Sequence, residues 1–216
     1  MEVYEKAEKE VLEILKRYVV FFGEVSQSCW YPFRPLRCFE EAVERGQLGY
    51  VYAGCPDFEA ITSLTEADPR AEEAKHKMPR LLYLTLLTVL KNHVVPLEHQ
   101  LYRLAEFVLF TLPRLEVEYA KCRKEASLTK WLVAGLNSTY TVLIGVLLYT
   151  VSGAGLFALF GIPFVFYGIY HVYRKYAECE RYNPEMLFRK MKAEVEALFN
   201  TKMRELRKIC GGQLVV

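Results

Sequence analysis

The sequence predicts an all-α protein, built as a cytoplasmic helical bundle plus a two-helix transmembrane hairpin. Three observations lead to this fold class. The 43 residues from Trp131 to Tyr173 contain no Asp, Glu, Lys or Arg. Basic residues stand on both sides of this run. Elsewhere, apolar residues recur at intervals of three and four, which is the spacing of helices with one buried face.

The uncharged run is long enough for two membrane spans. A bilayer core about 30 Å thick needs roughly 20 apolar residues in a helix, and the run has a break at Ser152-Gly153-Ala154-Gly155. We therefore expect spans at Trp131–Val151 and Leu156–Tyr173, joined by a tight turn. The alternative is a pair of buried core helices in a soluble protein, including one that inserts into membranes only conditionally.

Charges beside the run predict its orientation. Lys and Arg are concentrated before and after it, whereas the turn is uncharged; the flanking positions are Lys121, Arg123, Lys124, Lys130, Arg174, Lys175 and Arg181. The positive-inside rule then predicts an integral membrane protein with both termini in the cytoplasm. Trp131, Tyr170 and Tyr173 would lie near the cytoplasmic boundary, where amphipathic rings are favoured.

Small residues recur along both predicted spans. Lipid-embedded helices associate through such residues because their backbones can approach closely. The stripe predicts a helix-packing seam within the hairpin, formed by Ala134, Gly145, Ala158, Gly161 and Gly168. The alternative is that these residues form subunit contacts in an oligomer.

Polar residues form one predicted cluster in the membrane. Its members are Asn137, Ser138 and Thr141 in the first span and His171 near the end of the second. Polar groups inside a span usually hydrogen-bond between helices, and less often line a path for water or ions.

Three segments follow from this layout. Residues 1–126 are predicted to form a cytoplasmic all-α domain, 127–182 the hairpin with a helical stalk, and 183–216 an amphipathic cytoplasmic helix and tail. The predicted helices outside the spans are Val3–Phe22 ended by Gly23, Leu36–Arg45 ended by Gly46, Pro79–Val95 and Leu97–Leu112 divided by Pro96, and Glu185–Ile209. A short extended piece is expected at Tyr50–Ala53.

Three aromatic residues, Trp30, Tyr31 and Phe33, occur next to Pro32 and shortly before Pro35. Because prolines prevent a regular helix, this stretch is predicted to be a structured loop. It is a candidate partner-binding loop, although a loop packed over the core explains the same residues.

Composition limits the function classes. The net charge of +2 gives no nucleic-acid signature. Asp is scarce while Glu, Lys and Arg are abundant, as in proteins of hyperthermophiles. The six cysteines should be reduced in an ordinary cytosol, whereas in a hyperthermophile disulfides become plausible around Cys29, Cys38 and Cys55.

No catalytic motif occurs in the chain. His93 and His99 are six residues apart, which is a poor spacing for metal ligands on one helix face. We therefore expect that the protein is not an enzyme and that it has no catalytic residue, cofactor or metal. The predicted function is a membrane-anchored α-helical interaction or scaffolding protein whose partners are the lipid bilayer and an unidentified protein, with possible homo-oligomers and no nucleic acid. The alternatives are a subunit of an oligomeric channel or transporter lined by the first span, and a conditional pore-forming protein.

Overall fold

Helices account for nearly all of the chain that the computed structural model describes, which comprises residues 2–28, 35–54, 75–151 and 154–213. Side chains are described within these ranges except at positions 2, 28, 53–54, 147–151, 154–164 and 212–213. No strand occurs in any of these ranges, so the all-α class is confirmed.

Eight α-helices and two π-helical turns have defined bounds within the described ranges. In chain order they are α1 (Glu2–Ser28), α2 (Arg37–Arg45), α3 (Gly49–Gly54), α4 (Arg80–Val89), π1 (Leu90–Val94), α5 (Val95–Glu106), π2 (Phe107–Thr111), α6 (Leu112–Val151), α7 (Ala154–Glu180) and α8 (Pro184–Gln213).

The chain divides into two compact units. Unit 1 consists of Met1–Pro113 and Glu185–Val216, and unit 2 of Arg114–Pro184. Unit 1 is therefore discontinuous in sequence, because α8 returns to the bundle formed by the N-terminal helices.

The core of unit 1 is centred on aromatic side chains of α1, α2 and α8. The ring of Tyr18 lies 4.5 Å from Phe22, 5.6 Å from Phe39 and 6.5 Å from Phe199, centroid to centroid. Helices α1 and α8 run parallel, since Glu10 pairs with Lys192 and Arg17 with Glu196. The apolar face of α8 is buried in this core through Phe188, Val195, Phe199 and Leu206.

Two predicted boundaries in unit 1 need correction. Helix α1 passes through the predicted terminator Gly23 and continues to Ser28. The predicted extended piece at Tyr50–Ala53 lies in helix α3. The end of α2 agrees with the prediction, because Gly46 adopts the left-handed conformation (φ 63°) and its N–H meets the carbonyls of Ala42 and Val43.

Pro96 does not divide two helices as predicted. A proline in a helix lacks an N–H and its ring crowds the carbonyl four residues earlier. That carbonyl belongs to Asn92, which lies in the wide turn π1. Pro113 has the same arrangement, because the carbonyl four residues before it belongs to Leu109, which lies in π2. The π-helical turns make room for each ring, so helical structure continues from Arg80 to Val151.

Candidate functional site

Helices α6 and α7 of unit 2 pack as an antiparallel hairpin. A disulfide joins Cys122 on α6 to Cys179 on α7, with 5.7 Å between the Cα atoms. Farther along, Gly168 of α7 approaches Val133 of α6 so closely that a Cβ on the glycine would lie 2.8 Å from Val133 Cγ1. Both pairs give the same register, and this register places position 131 level with position 170.

The seam of α6 consists of its less exposed positions. Between Trp131 and Val146 these are Val133, Asn137, Tyr140 and Ile144. Their spacing of four, three and four residues keeps them on one face of the helix. On α7, Gly168 is buried while both of its neighbours are exposed. The close approach at Gly168 is thus part of the contact between the two helices.

The predicted small-residue seam is only partly brought together. Gly168 lies in the helix contact, but Ala134 and Gly145 are exposed, and a Cβ added at Gly145 would meet nothing within 4 Å. The contact face of α6 is displaced by one residue from the small-residue stripe, so Ala134 and Gly145 lie outside the contact between the two helices. The side chains of Ala158 and Gly161 lie outside the described residues.

A broad apolar surface covers the outside of the hairpin, and we call it the apolar belt. Each member is a large apolar or aromatic residue with 57% to 73% of its surface exposed. The members are Trp131, Leu132, Leu136, Val142, Leu143 and Val146 on α6, and Phe166, Tyr167, Ile169, Tyr170 and Tyr173 on α7. No charged residue interrupts the sequence that contains them. Continuous apolar surface of this kind marks a place of contact with another protein or a membrane.

The predicted polar cluster does not form a single group. Asn137 is half-buried, and its amide nitrogen would lie 3.0 Å from a Cβ at Gly168. Ser138, Thr141 and His171 are exposed. The Thr141 hydroxyl donates to the carbonyl of Asn137 at 2.7 Å, while the His171 ring lies 6.3 Å from Tyr167. Of these four residues, only Asn137 faces the other helix of the hairpin.

A polar clamp accompanies the disulfide at the charged end of the hairpin. The carboxylate of Glu180 accepts hydrogen bonds from Asn183 Nδ2 at 2.8 Å and from the Tyr119 hydroxyl at 2.9 Å, and Arg123 lies 3.8 Å away. The bonds from Asn183 and Tyr119 hold the pKa of Glu180 below its usual value. The Arg123 guanidinium also lies over the ring of Tyr176, at 5.3 Å.

Glu98 of α5 is a functional candidate that the sequence prediction missed. It is buried, with 4% of its surface exposed. Its carboxylate accepts a hydrogen bond from the Tyr18 hydroxyl and another from the backbone N–H of Leu36. Burial raises the pKa of Glu98 to about 8, against the lowering effect of the Tyr18 and Leu36 hydrogen bonds. Its position could have been recognised from the periodicity, since Val94, Glu98, Leu101 and Ala105 share the apolar face of the helix.

His93 forms a second polar contact in unit 1. Its Nδ1 atom lies 2.8 Å from Glu205 Oε2 and 3.2 Å from Lys202 Nζ, so π1 is tied to α8. Within the described ranges, no group of three His, Cys, Asp or Glu residues is placed to hold a metal ion.

The oxidation state of the cysteines differs from the reduced state predicted for an ordinary cytosol. In the described part of the chain all four cysteines are in disulfides, namely Cys38, Cys122, Cys179 and Cys210. The Cys122–Cys179 bond lies away from the cysteine group that the sequence singled out. Cys29 and Cys55 of that group, and the candidate partner loop Trp30, Tyr31 and Phe33, lie outside the described residues.

Comparison with known proteins gives no relative. No family model, curated protein or solved structure matches this chain. Among the described residues, no helix meets the length and apolarity required of a membrane span.

Proposed function

We propose that this chain is a membrane-anchored α-helical interaction or scaffolding protein. The hairpin of unit 2 is the anchor, and unit 1 binds a protein partner on the cytoplasmic side. The observation that carries the proposal is the apolar belt, whose members are more than half exposed. No helix among the described residues meets the length and apolarity required of a membrane span, and the proposal rests instead on the chemistry of this surface.

The ends of the apolar belt support an interfacial boundary. Trp131 and Tyr173 are 73% and 72% exposed, and the hairpin register places Trp131 level with Tyr170. Lys130 precedes this level on α6, and Arg174 follows it on α7. Aromatic rings bordered by basic residues are typical of the cytoplasmic interface of a membrane helix.

Two threonine hydroxyls of the uncharged run are satisfied by their own helix. Thr139 donates to the carbonyl of Gly135 at 2.9 Å, and Thr141 to that of Asn137 at 2.7 Å. A hydroxyl bonded in this way needs no water, so it can face hydrocarbon at little cost. Asn137, the most polar residue of the run, is turned toward α7 instead.

A pair of arginine substitutions tests the anchor. Leu136 and Leu143 belong to the belt and are 62% and 58% exposed, whereas Val117 is 70% exposed on the same helix but outside the uncharged run. In water, arginine should be tolerated at all three positions. In a bilayer, each arginine within a span costs about 2.5–3.5 kcal/mol on insertion scales. Leu136→Arg/Leu143→Arg should therefore reduce membrane retention, and Val117→Arg should not.

Carbonate extraction of membranes from expressing cells measures that retention. The wild type and Val117→Arg are expected in the pellet, and the double variant largely in the extract or degraded. If the wild type is itself released by carbonate, or if the double variant stays in the pellet as the wild type does, the anchor is refuted.

A second candidate function is a subunit of an oligomeric channel or transporter. One observation favours it: the stripe Ala134, Ser138, Thr141 and Gly145 is exposed on the outer side of α6, next to the seam. Small and hydroxyl residues on an outer helix face suit close contact with another subunit. Mass determination in detergent tests this, because a monomer would refute the channel and an oligomer dispersed by Gly145→Leu would support it.

A further inference from the structure

A groove between the parallel helices α1 and α8 lies on the surface of unit 1. It encloses about 340 Å³, which is at the lower end of the range for ligand-binding clefts. Its apolar lining consists of Val20, Phe21, Phe199 and Met203. Val20 is 53% exposed, while Phe21 and Phe199 belong to the core. The groove is therefore an apolar surface with a rigid floor.

Cations border the groove at both ends. Lys16 and Arg17 lie at the end where α1 enters it, and Arg207 lies at the opposite end on α8. The Arg17 guanidinium lies 5.9 Å from the centre of the Phe199 ring, and that of Arg207 lies 5.7 Å from the centre of the Phe21 ring. Stacking on these rings holds each guanidinium in place, and part of the donor edge of Arg17 is already used by Glu196.

Negative charge is scarcer around the groove than positive charge. Glu24 is its lining carboxylate, and Glu196 pairs with Arg17 at 3.0 Å. From Thr201 to Gly211, α8 carries four Lys or Arg residues and a single Glu. The surface thus offers an apolar floor in a positive field.

We infer that this groove binds an acidic amphipathic helix of a partner protein. From Lys16 to Glu24 the groove extends about 12 Å along α1, at 1.5 Å per residue. Carboxylates seven residues apart on a helix are about 10 Å apart, which is close to the length of the groove. Apolar residues three and four positions after the first carboxylate then enter the groove between them.

The concave shape selects a helix over a bilayer surface. A groove between two helices accepts the side chains of a third helix, whereas a flat array of lipid headgroups contacts only the rims. The inference rests on the interaction half of the proposed function, because it names the chemistry of the partner of unit 1. It does not depend on the membrane anchor.

Fluorescence anisotropy on the full-length chain in uncharged phosphatidylcholine nanodiscs tests the inference. The probe is a fluorescein-labelled, alanine-based helical peptide with Glu at positions i and i+7 and Leu at i+3 and i+4. Two matched peptides replace either the two Glu by Gln or the two Leu by Ala. The parent peptide should bind, both replacements should weaken it at least tenfold, and 0.5 M NaCl, at which the Debye length falls to about 4 Å, should weaken it further.

Protein variants locate the site. Lys16→Gln/Arg207→Gln removes a cation from each end and should weaken binding of the parent peptide at least tenfold. Val20→Glu, at a half-exposed position, introduces a carboxylate four residues after Lys16 and should block the groove. Lys190→Gln, an exposed lysine elsewhere on α8, should leave binding unchanged. Circular dichroism verifies that each variant is folded.

Three results would overturn the inference. The first is that the three peptides bind equally, or that the groove variants bind the parent peptide as tightly as the wild type does. The second is that anionic phosphatidylglycerol vesicles bind through Lys16 and Arg207 while the peptide does not. The third is that the same two cations hold together a dimer of this chain. Carbonate extraction of the same variants is read separately, so failure of the groove is distinguishable from failure of the anchor.

Discussion

Replacement of Glu98 by glutamine should stabilise the folded protein above pH 8 and should not raise its stability at pH 5. Glu98 is buried in unit 1, where the Tyr18 hydroxyl and the Leu36 N–H donate to it. Leu36 immediately precedes α2 and supplies no side-chain cap to that helix. The Glu98 side chain therefore connects α1, α5 and the start of α2 through one buried carboxyl group.

The direction of the pH effect follows from the raised pKa. The Glu98 pKa is about 8 in the folded protein, against an ordinary value of 4.5 for a glutamate in the unfolded chain. Between these values the folded state keeps its proton while the unfolded state has lost it. Stability from this group is therefore fully present below about pH 4.5 and is lost as the pH rises to about 8.

The size of the effect is bounded by the same two values. A difference from 4.5 to about 8 corresponds to at most about 5 kcal/mol, since each pH unit contributes 1.36 kcal/mol. Glutamine cannot ionise, but its amide also needs partners in the core, which costs about 1–3 kcal/mol if they are missing. At pH 9 we expect Glu98→Gln to be more stable by roughly 2–4 kcal/mol, or a Tm higher by on the order of 10 °C.

Thermal unfolding followed by circular dichroism between pH 5 and pH 9, in one non-ionic detergent, measures this. Glu106→Gln is the matched control, because Glu106 lies on the same helix but is exposed, and it should keep the pH dependence of the wild type. Equal loss of stability by wild type and Glu98→Gln between pH 5 and pH 9 would refute the assigned role of the carboxyl group.

Three further substitutions test local features by denaturant unfolding. Gly46→Ala should cost about 1 kcal/mol, because φ is 63° and the new Cβ meets no atom within 4 Å; an unchanged midpoint would argue against the left-handed turn. Gly168→Leu should destabilise unit 2 by about 1–3 kcal/mol through its clash with Val133, while Gly145→Leu in monomeric protein should be neutral, and equal effects would contradict the seam. Cys122→Ser/Cys179→Ser, which opens a loop of 57 residues, should lose about 4 kcal/mol; an unchanged midpoint would contradict a stabilising role of this bond.

Periodicity was sufficient to predict the helical class and the apolar faces of α1 and α8. It failed where a backbone detail decided the outcome. Pro96 reads as a helix break by its missing N–H, but a π-helical turn placed one turn earlier accommodates its ring. Gly23 reads as a terminator, yet it remains in α1; Gly46, which does end a helix, takes the left-handed conformation that commonly terminates helices.

The sites show the same limit. A stripe of small residues predicts close packing, but the seam of α6 runs through Val133 and Asn137, one position away from Ala134 and Ser138. A shift of one residue rotates a helix by 100°, and composition alone cannot fix that rotation. Glu98 belongs to no sequence motif and was missed, although its spacing from Leu101 and Ala105 places it on the apolar face of α5.

The disulfide between Cys122 and Cys179 closes a covalent loop within unit 2. The Cα atoms of the two cysteines are 5.7 Å apart, a distance that two residues of extended chain can span. A cut anywhere within the loop would leave one connected molecule until the bond is reduced. The same closeness permits excision: a chain in which a short glycine linker replaces residues 122–179 retains every residue assigned to unit 1, and it offers a way to study that bundle without its apolar belt.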